Sequence, residues 1–202
     1  MTDDLLGRLT EQSKNGKEEL HDEGKGLGVT VLDFWQWSAS DLVSNATRGV
    51  LAEFIVAQAL GVPTDRPRDE WAAFDLVTPE GVIVEVKSAA FVQSWSQREN
   101  STVRFPIGKT AAWNAETGLF AGERKRQADV YVFALLAHKD KSTLDPLNVA
   151  QWRFYVLAST VLEQRMRNQK SIAVGALEKL GARALGYFEL ASAVRSAFDR
   201  RP

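Results

Sequence analysis

Three acids and one amine are spaced along this chain in a way that could do chemistry. Asp75 lies ten residues before Glu85, Lys87 follows two places later, and Glu53 is a lone carboxylate in the segment upstream. Carboxylate oxygens suit hard divalent cations, which keep some of their waters and accept a substrate phosphate. Such an ion can polarise a phosphoryl oxygen and lower the pKa of a bound water, so the residue types fit metal-assisted hydrolysis of a phosphodiester. An ammonium held beside the acids and partly desolvated could orient or deprotonate the nucleophile.

The local pattern gives these residues a means of meeting. Ala73–Val77 reads as a short strand, Thr78–Gly81 as a turn carrying Pro79 and Gly81, and Val82–Lys87 as a second strand rich in β-branched residues. Side chains alternate along a strand, so Glu85 and Lys87 share one face and Val84 and Val86 the other. The right register would stand Asp75 beside them. Upstream, Ala46, Val50, Glu53, Ala57 and Leu60 recur at helical steps between Asp41 and Leu60, and Gly61 followed by Pro63 is a stop. Glu53 is the only charge in that stripe. Asn45 and Arg48 lie a turn or more before it and could bond the carboxylate or a phosphate. The plainer alternatives stay open: Glu53 as a rim carboxylate paired with Arg48 or another base, and Lys87 as a charge partner for Glu85 or Asp75.

A helix with an inward Glu, then Asp, a strand turn and Glu85-Val86-Lys87 resembles the PD-(D/E)XK nuclease superfamily, the restriction-endonuclease-like fold. The resemblance implies Asp75 and Glu85 as ligands of Mg²⁺ or Mn²⁺, Glu53 as the helical acid that completes the metal site, and Lys87 as the amine at the attacking water or scissile phosphate. The carbonyl of Val86 could add a further ligand. Phe74 stands where the motif's name has Pro.

Later segments extend the likeness to about residue 160. Ala128–Leu136 is a nearly continuous apolar run, as in a central strand buried on both faces, and Trp152–Leu157 looks like its neighbour. Ser101–Pro106 reads as a further strand, and Thr110–Phe120 as a stretch able to hold a short helix, with Trp113 facing the core or a base. The expectation is an α/β fold: a mixed four- to five-stranded sheet flanked by helices. Helices are expected over 160–168, 171–180 and 185–198. This divides the chain into an N-terminal arm at 1–40, a nuclease-like core at 41–160 and C-terminal helices at 161–202 packed on the same domain. In the arm, Gly24–Gly28 reads as flexible, and Trp35 and Trp37 as packing on the core, with base stacking or exchange between subunits as sharper alternatives.

Candidate nucleic-acid contacts lie downstream of the Val82–Lys87 strand and, for Arg48, in the helix before it. Gln93 and Gln97 share a face if their segment turns helical, which would bring Gln93 near the strand end. Arg124, Lys125 and Arg126 form the densest basic cluster and could bind phosphates, or be a solvated turn. Together with Arg98, Arg104 and Lys109 they could line one face of a cleft.

Whole-chain properties bound these readings. The 202 residues carry a formal net charge of −1, so any nucleic-acid binding must come from a local patch. With no cysteine, disulfides, thiol nucleophiles and Cys–zinc sites are excluded, and two histidines are too few for a persuasive His-based site. The sequence has no signal peptide and no apolar run long enough to cross a membrane, which points to the cytoplasm. The reading is a DNA nuclease of restriction, repair or mobile-element biology, with pairing into a homodimer left open. Its rivals are a non-catalytic nucleic-acid-binding module and a structural protein in which the charges form only a buried ion network.

Overall fold

The computed structural model describes residues 9, 11–114 and 119–200. An antiparallel hairpin of β1 (Glu19–Asp22) and β2 (Lys25–Thr30) leads into α1 (Val31–Ala39). Gly24 and Gly28 have φ of +86° and +74°, so the glycines expected to be flexible instead form the turn of this hairpin and the irregular point within β2 where its register shifts. Thr30 and Asp33 close a capping box at the start of α1. None of the residues of α1 is buried, and Trp37 is 85% exposed, so the expected packing of this aromatic stretch on the core does not occur.

The helix that carries Glu53 is α2 (Asn45–Leu60). It starts later than Asp41 because the Ser44 side chain caps the Thr47 amide, and it ends at Gly61, whose φ of +68° lets its N–H return to the carbonyls of Ala57 and Gln58. Its buried residues are Arg48, Ala52, Ile55, Val56 and Ala57, which shifts the core face around the helix from the expected stripe and leaves Val50 exposed. Glu53 sits at the rim of that face.

The next strands are β3 (Leu76–Val77), β4 (Ile83–Ala90), β5 (Arg104–Pro106), β6 (Thr110–Asn114), β7 (Leu119–Lys125), β8 (Val130–Leu136) and β9 (Trp152–Ala158). After them come α3 (Ser159–Arg165), β10 (Ser171–Ala173), α4 (Val174–Lys179) and α5 (Leu190–Asp199). The central mixed sheet has four strands in the order β3-β4-β8-β9, with β4 and β8 parallel and the other pairs antiparallel. As its apolar run predicts, every residue of β8 is buried. Alternation splits the core in two: Val130, Val132 and Ala134 pack with Ile55 and Val56 of α2 and with Val194 of α5, while Tyr131, Phe133 and Leu135 pack with Phe105, Leu162, Ile172 and Leu177. The architecture is therefore α/β, a mixed sheet flanked by helices and ended by a C-terminal helix.

Three local expectations differ. Ser101–Pro106 yields β5, which pairs with β10 rather than joining the central sheet, because Phe105 and Ile172 are both buried against the second core cluster. Ser171–Ala173 is consequently strand and the helix after it is short. The Thr110 stretch is β6 instead of a helix: it pairs with β7, and Trp113 meets Phe120 across the ribbon at 4.9 Å between ring centroids. Cross-strand aromatic packing outweighs the local helix preference of Ala111 and Ala112.

Candidate active site

The ladder between β3 and β4 places the first acids. Leu76 pairs with Val84 and Val77 with Ile83, so extending the register by one residue sets Asp75 opposite Glu85. The Asp75 amide donates to the Val84 carbonyl at 3.2 Å, and the Asp75 carboxylate accepts the Val86 amide at 2.6 Å. Because β3 is only two residues long, Asp75 takes over where strand pairing ends and satisfies an edge N–H of β4 with its own oxygen. Glu85 and Lys87 share a face, as alternation requires, and form a direct ion pair. Glu53 approaches from α2.

A fifth charged group, unforeseen in the sequence, completes the set. Arg68 lies in the segment between α2 and β3, donates to Glu53 at 3.0 Å, and lines a cavity of about 340 Å³ with Glu53, Phe54, Arg66, Asp75 and Leu76. Nothing in its local pattern marks it; only its place between the two acids could have drawn attention to it.

The electrostatics bind these residues into one centre. Burial raises the Glu53 carboxyl above its ordinary range, and the Asp75 charge adds to this while Arg68 and Lys87 oppose it. Glu85 is raised by burial, then by Asp75, against the pull of Lys87, and Asp75 is raised by burial against the Val86 hydrogen bond and the charges of Lys87 and Arg68. Three like charges sharing partial burial are short of compensating positive charge.

The model of the bacteriophage T4 endonuclease IV family matches residues 28–174, a span that holds Glu53, Arg68, Asp75, Glu85 and Lys87 and the whole central sheet. The chain belongs to that family. No curated protein matches the chain. Membership of an endonuclease family makes this a nuclease-like protein.

In this member of the family the donor set suits a hard divalent cation chemically, since all three acids offer carboxylate oxygens and share a deficit of positive charge. As placed, however, each has one oxygen engaged: Glu53 by Arg68, Asp75 by the Val86 amide and Glu85 by Lys87. Among the described residues no three acidic or histidine side chains stand close enough to hold an ion. Val86 itself is buried and meets Asp75 through its N–H.

The remaining candidates occupy other surroundings. Arg48 and Gln93 are buried and bonded to each other at 3.3 Å, with Arg48 also reaching Asn45 at 2.7 Å and the Val43 carbonyl at 2.8 Å. The Gln93 segment is not helical; Gln97 instead accepts the Gln93 amide through its side chain. Arg124 and Lys125 are exposed on β7, whereas the Arg126 side chain is 1% exposed and donates to Glu163 and to the carbonyls of Ile107 and Met166. Trp113 packs against Phe120 and stands 6.2 Å from Trp71.

Proposed function

We propose that the chain is a divalent-cation-dependent nuclease that hydrolyses phosphodiester bonds in DNA with a centre of the PD-(D/E)XK type. The observation that carries this reading is the convergence of carboxylates from α2, from the residue before β3 and from β4 on one ammonium, inside an endonuclease family. Glu53, Asp75 and Glu85 would hold Mg²⁺ or Mn²⁺, with the Val86 carbonyl as a further ligand. Bound there, the ion would polarise a phosphoryl oxygen and acidify a water.

The chain's own groups do the positioning. Lys87, held by Glu85, presents an ammonium that orients the attacking water or neutralises the scissile phosphate. Arg68, paired with Glu53 but 43% exposed, offers a planar guanidinium that can exchange a carboxylate for a phosphate. Asp75 fixes the strand edge that carries Glu85 and Lys87. Purified protein with Mg²⁺ or Mn²⁺ should cut DNA, and Lys87→Ala should abolish cutting while the protein still folds, at a lower melting temperature because Glu85 loses its ion-pair partner. Cutting by that variant at the wild-type rate removes Lys87 from its role.

A second reading is favoured by the pairing of each acid with a donor of the protein. In it the charges are a structural ion network on a non-catalytic scaffold. Glu53→Gln and Asp75→Asn would then change the melting temperature, and wild type would not cut.

A further inference from the structure

A second charged feature lies apart from the acids. An open groove of about 580 Å³ is lined by Lys109, Arg124, Arg167, Asn168, Gln169 and Lys170, together with Gly108. Four cationic side chains and two side-chain amides face it, and no carboxylate lines it. In a chain whose net charge is −1, this concentration of one sign is a local arrangement rather than a consequence of overall basicity.

The fold builds this groove from three distant segments. The ladder between β6 and β7 pairs Ala111 with Arg124, and Arg124 donates through Nε and Nη2 to the Lys109 carbonyl at 3.2 and 3.0 Å. On the other side, the Ile107 amide donates to the Lys170 carbonyl at 3.0 Å, continuing the contact of β5 with β10. Beneath them the buried guanidinium of Arg126 ties the Ile107 carbonyl at 3.1 Å to the Met166 carbonyl at 3.0 Å and to Glu163 at 2.8 Å. Arg126 is thus a strut that fixes the loop after α3 against the β5–β6 connection. Lys109 is balanced by Glu163 at 3.1 Å, while Arg124, Arg167 and Lys170 have no ion-pair partner among the described residues.

We propose that this groove is a track for the sugar–phosphate backbone of a nucleic acid, with Lys109, Arg124, Arg167 and Lys170 on successive phosphates and Asn168 and Gln169 donating hydrogen bonds to them. Fixed cations drawn from separate segments match a charge repeated along a strand; Arg167 offers a forked donor suited to phosphate oxygens, and Arg124, anchored on the Lys109 carbonyl through Nε and Nη2, offers its remaining N–H groups. The proposal rests on the nuclease reading, because that reading favours a nucleic acid over other polyanions.

The test is fluorescence anisotropy of a short labelled DNA oligonucleotide with the full chain, in chelator so that no cation-dependent cutting occurs, over a series of salt concentrations. Arg167→Ala with Lys170→Ala should weaken binding and reduce the slope of log affinity against log salt by about 1.5, the loss of two phosphate contacts. The control is Arg183→Ala with Arg195→Ala, which removes the same charge from residues already paired with Glu189 and Glu80 and should leave the slope unaltered. An unchanged slope in the first variant, an equal loss in the control, or displacement of the oligonucleotide by the same concentration of inorganic phosphate would overturn the proposal. Wild-type cleavage measured alongside separates the two ideas: groove-dependent binding without cutting upholds the track and removes the nuclease.

Discussion

At the scale of residues, the centre is defined by charges that the protein itself leaves under-compensated. Glu53, Asp75 and Glu85 hold their protons more tightly in the fold than in the unfolded chain, since burial raises all three and the Asp75 charge raises Glu53 and Glu85 further. The sign follows: below the unfolded carboxylate values the three cost nothing, and stability is lost as pH rises from there through the raised values. Asp75→Asn keeps an oxygen for the Val86 amide but removes the like charge, so in chelator the variant should lose less stability than wild type across that window. Denaturant titrations of both proteins at several pH values measure the difference. The comparison between proteins is the readout, because Glu163, held low by Arg126 and Lys109 despite burial, pulls the opposite way. An identical fall in both would show that Asp75 does not repel its neighbours. Of these residues, Asp75, Glu85 and Lys87 were legible because strand alternation fixes which side chains share a face. Arg68 was not, because its pairing depends on the course of an irregular segment.

At the scale of elements, β8 does most to hold the centre in place. It lies between β4 and β9, and its side chains alternate into both halves of the core. Phe133 is fully buried and meets Phe105 edge-on at 5.2 Å between centroids. Phe133→Ala should therefore cost about 3–5 kcal/mol in chemical denaturation, from lost burial and the cavity left behind. A loss below about 1 kcal/mol would mean that the second half of the core is not closed around this ring. Strands buried on both faces, such as β8, announce themselves by composition alone. The β6–β7 ribbon does not: Thr110–Asn114 carries two alanines, and its strand form depends on a partner several residues away. β10 is similarly hidden, three residues long and paired only with β5, whereas the strand at 101–106 is legible and only its partner is not.

At the scale of the whole molecule, charge is nearly balanced, so function depends on where charges are gathered. Acids converge at the end of β3, cations converge in the groove beside α3, and Arg126, which sequence adjacency grouped with Arg124 and Lys125, is a buried strut between segments. Linear clustering could not distinguish an exposed cation from a buried one, since burial is decided by segments forty residues away. What joins these features into an enzyme is a cation at the acids, and calorimetric titration of Mn²⁺ into wild-type and Asp75→Asn proteins tests this most directly. The account predicts saturable binding to wild type that raises its melting temperature, and loss of both effects in the variant. No binding to wild type, or equal binding to both proteins, would contradict it.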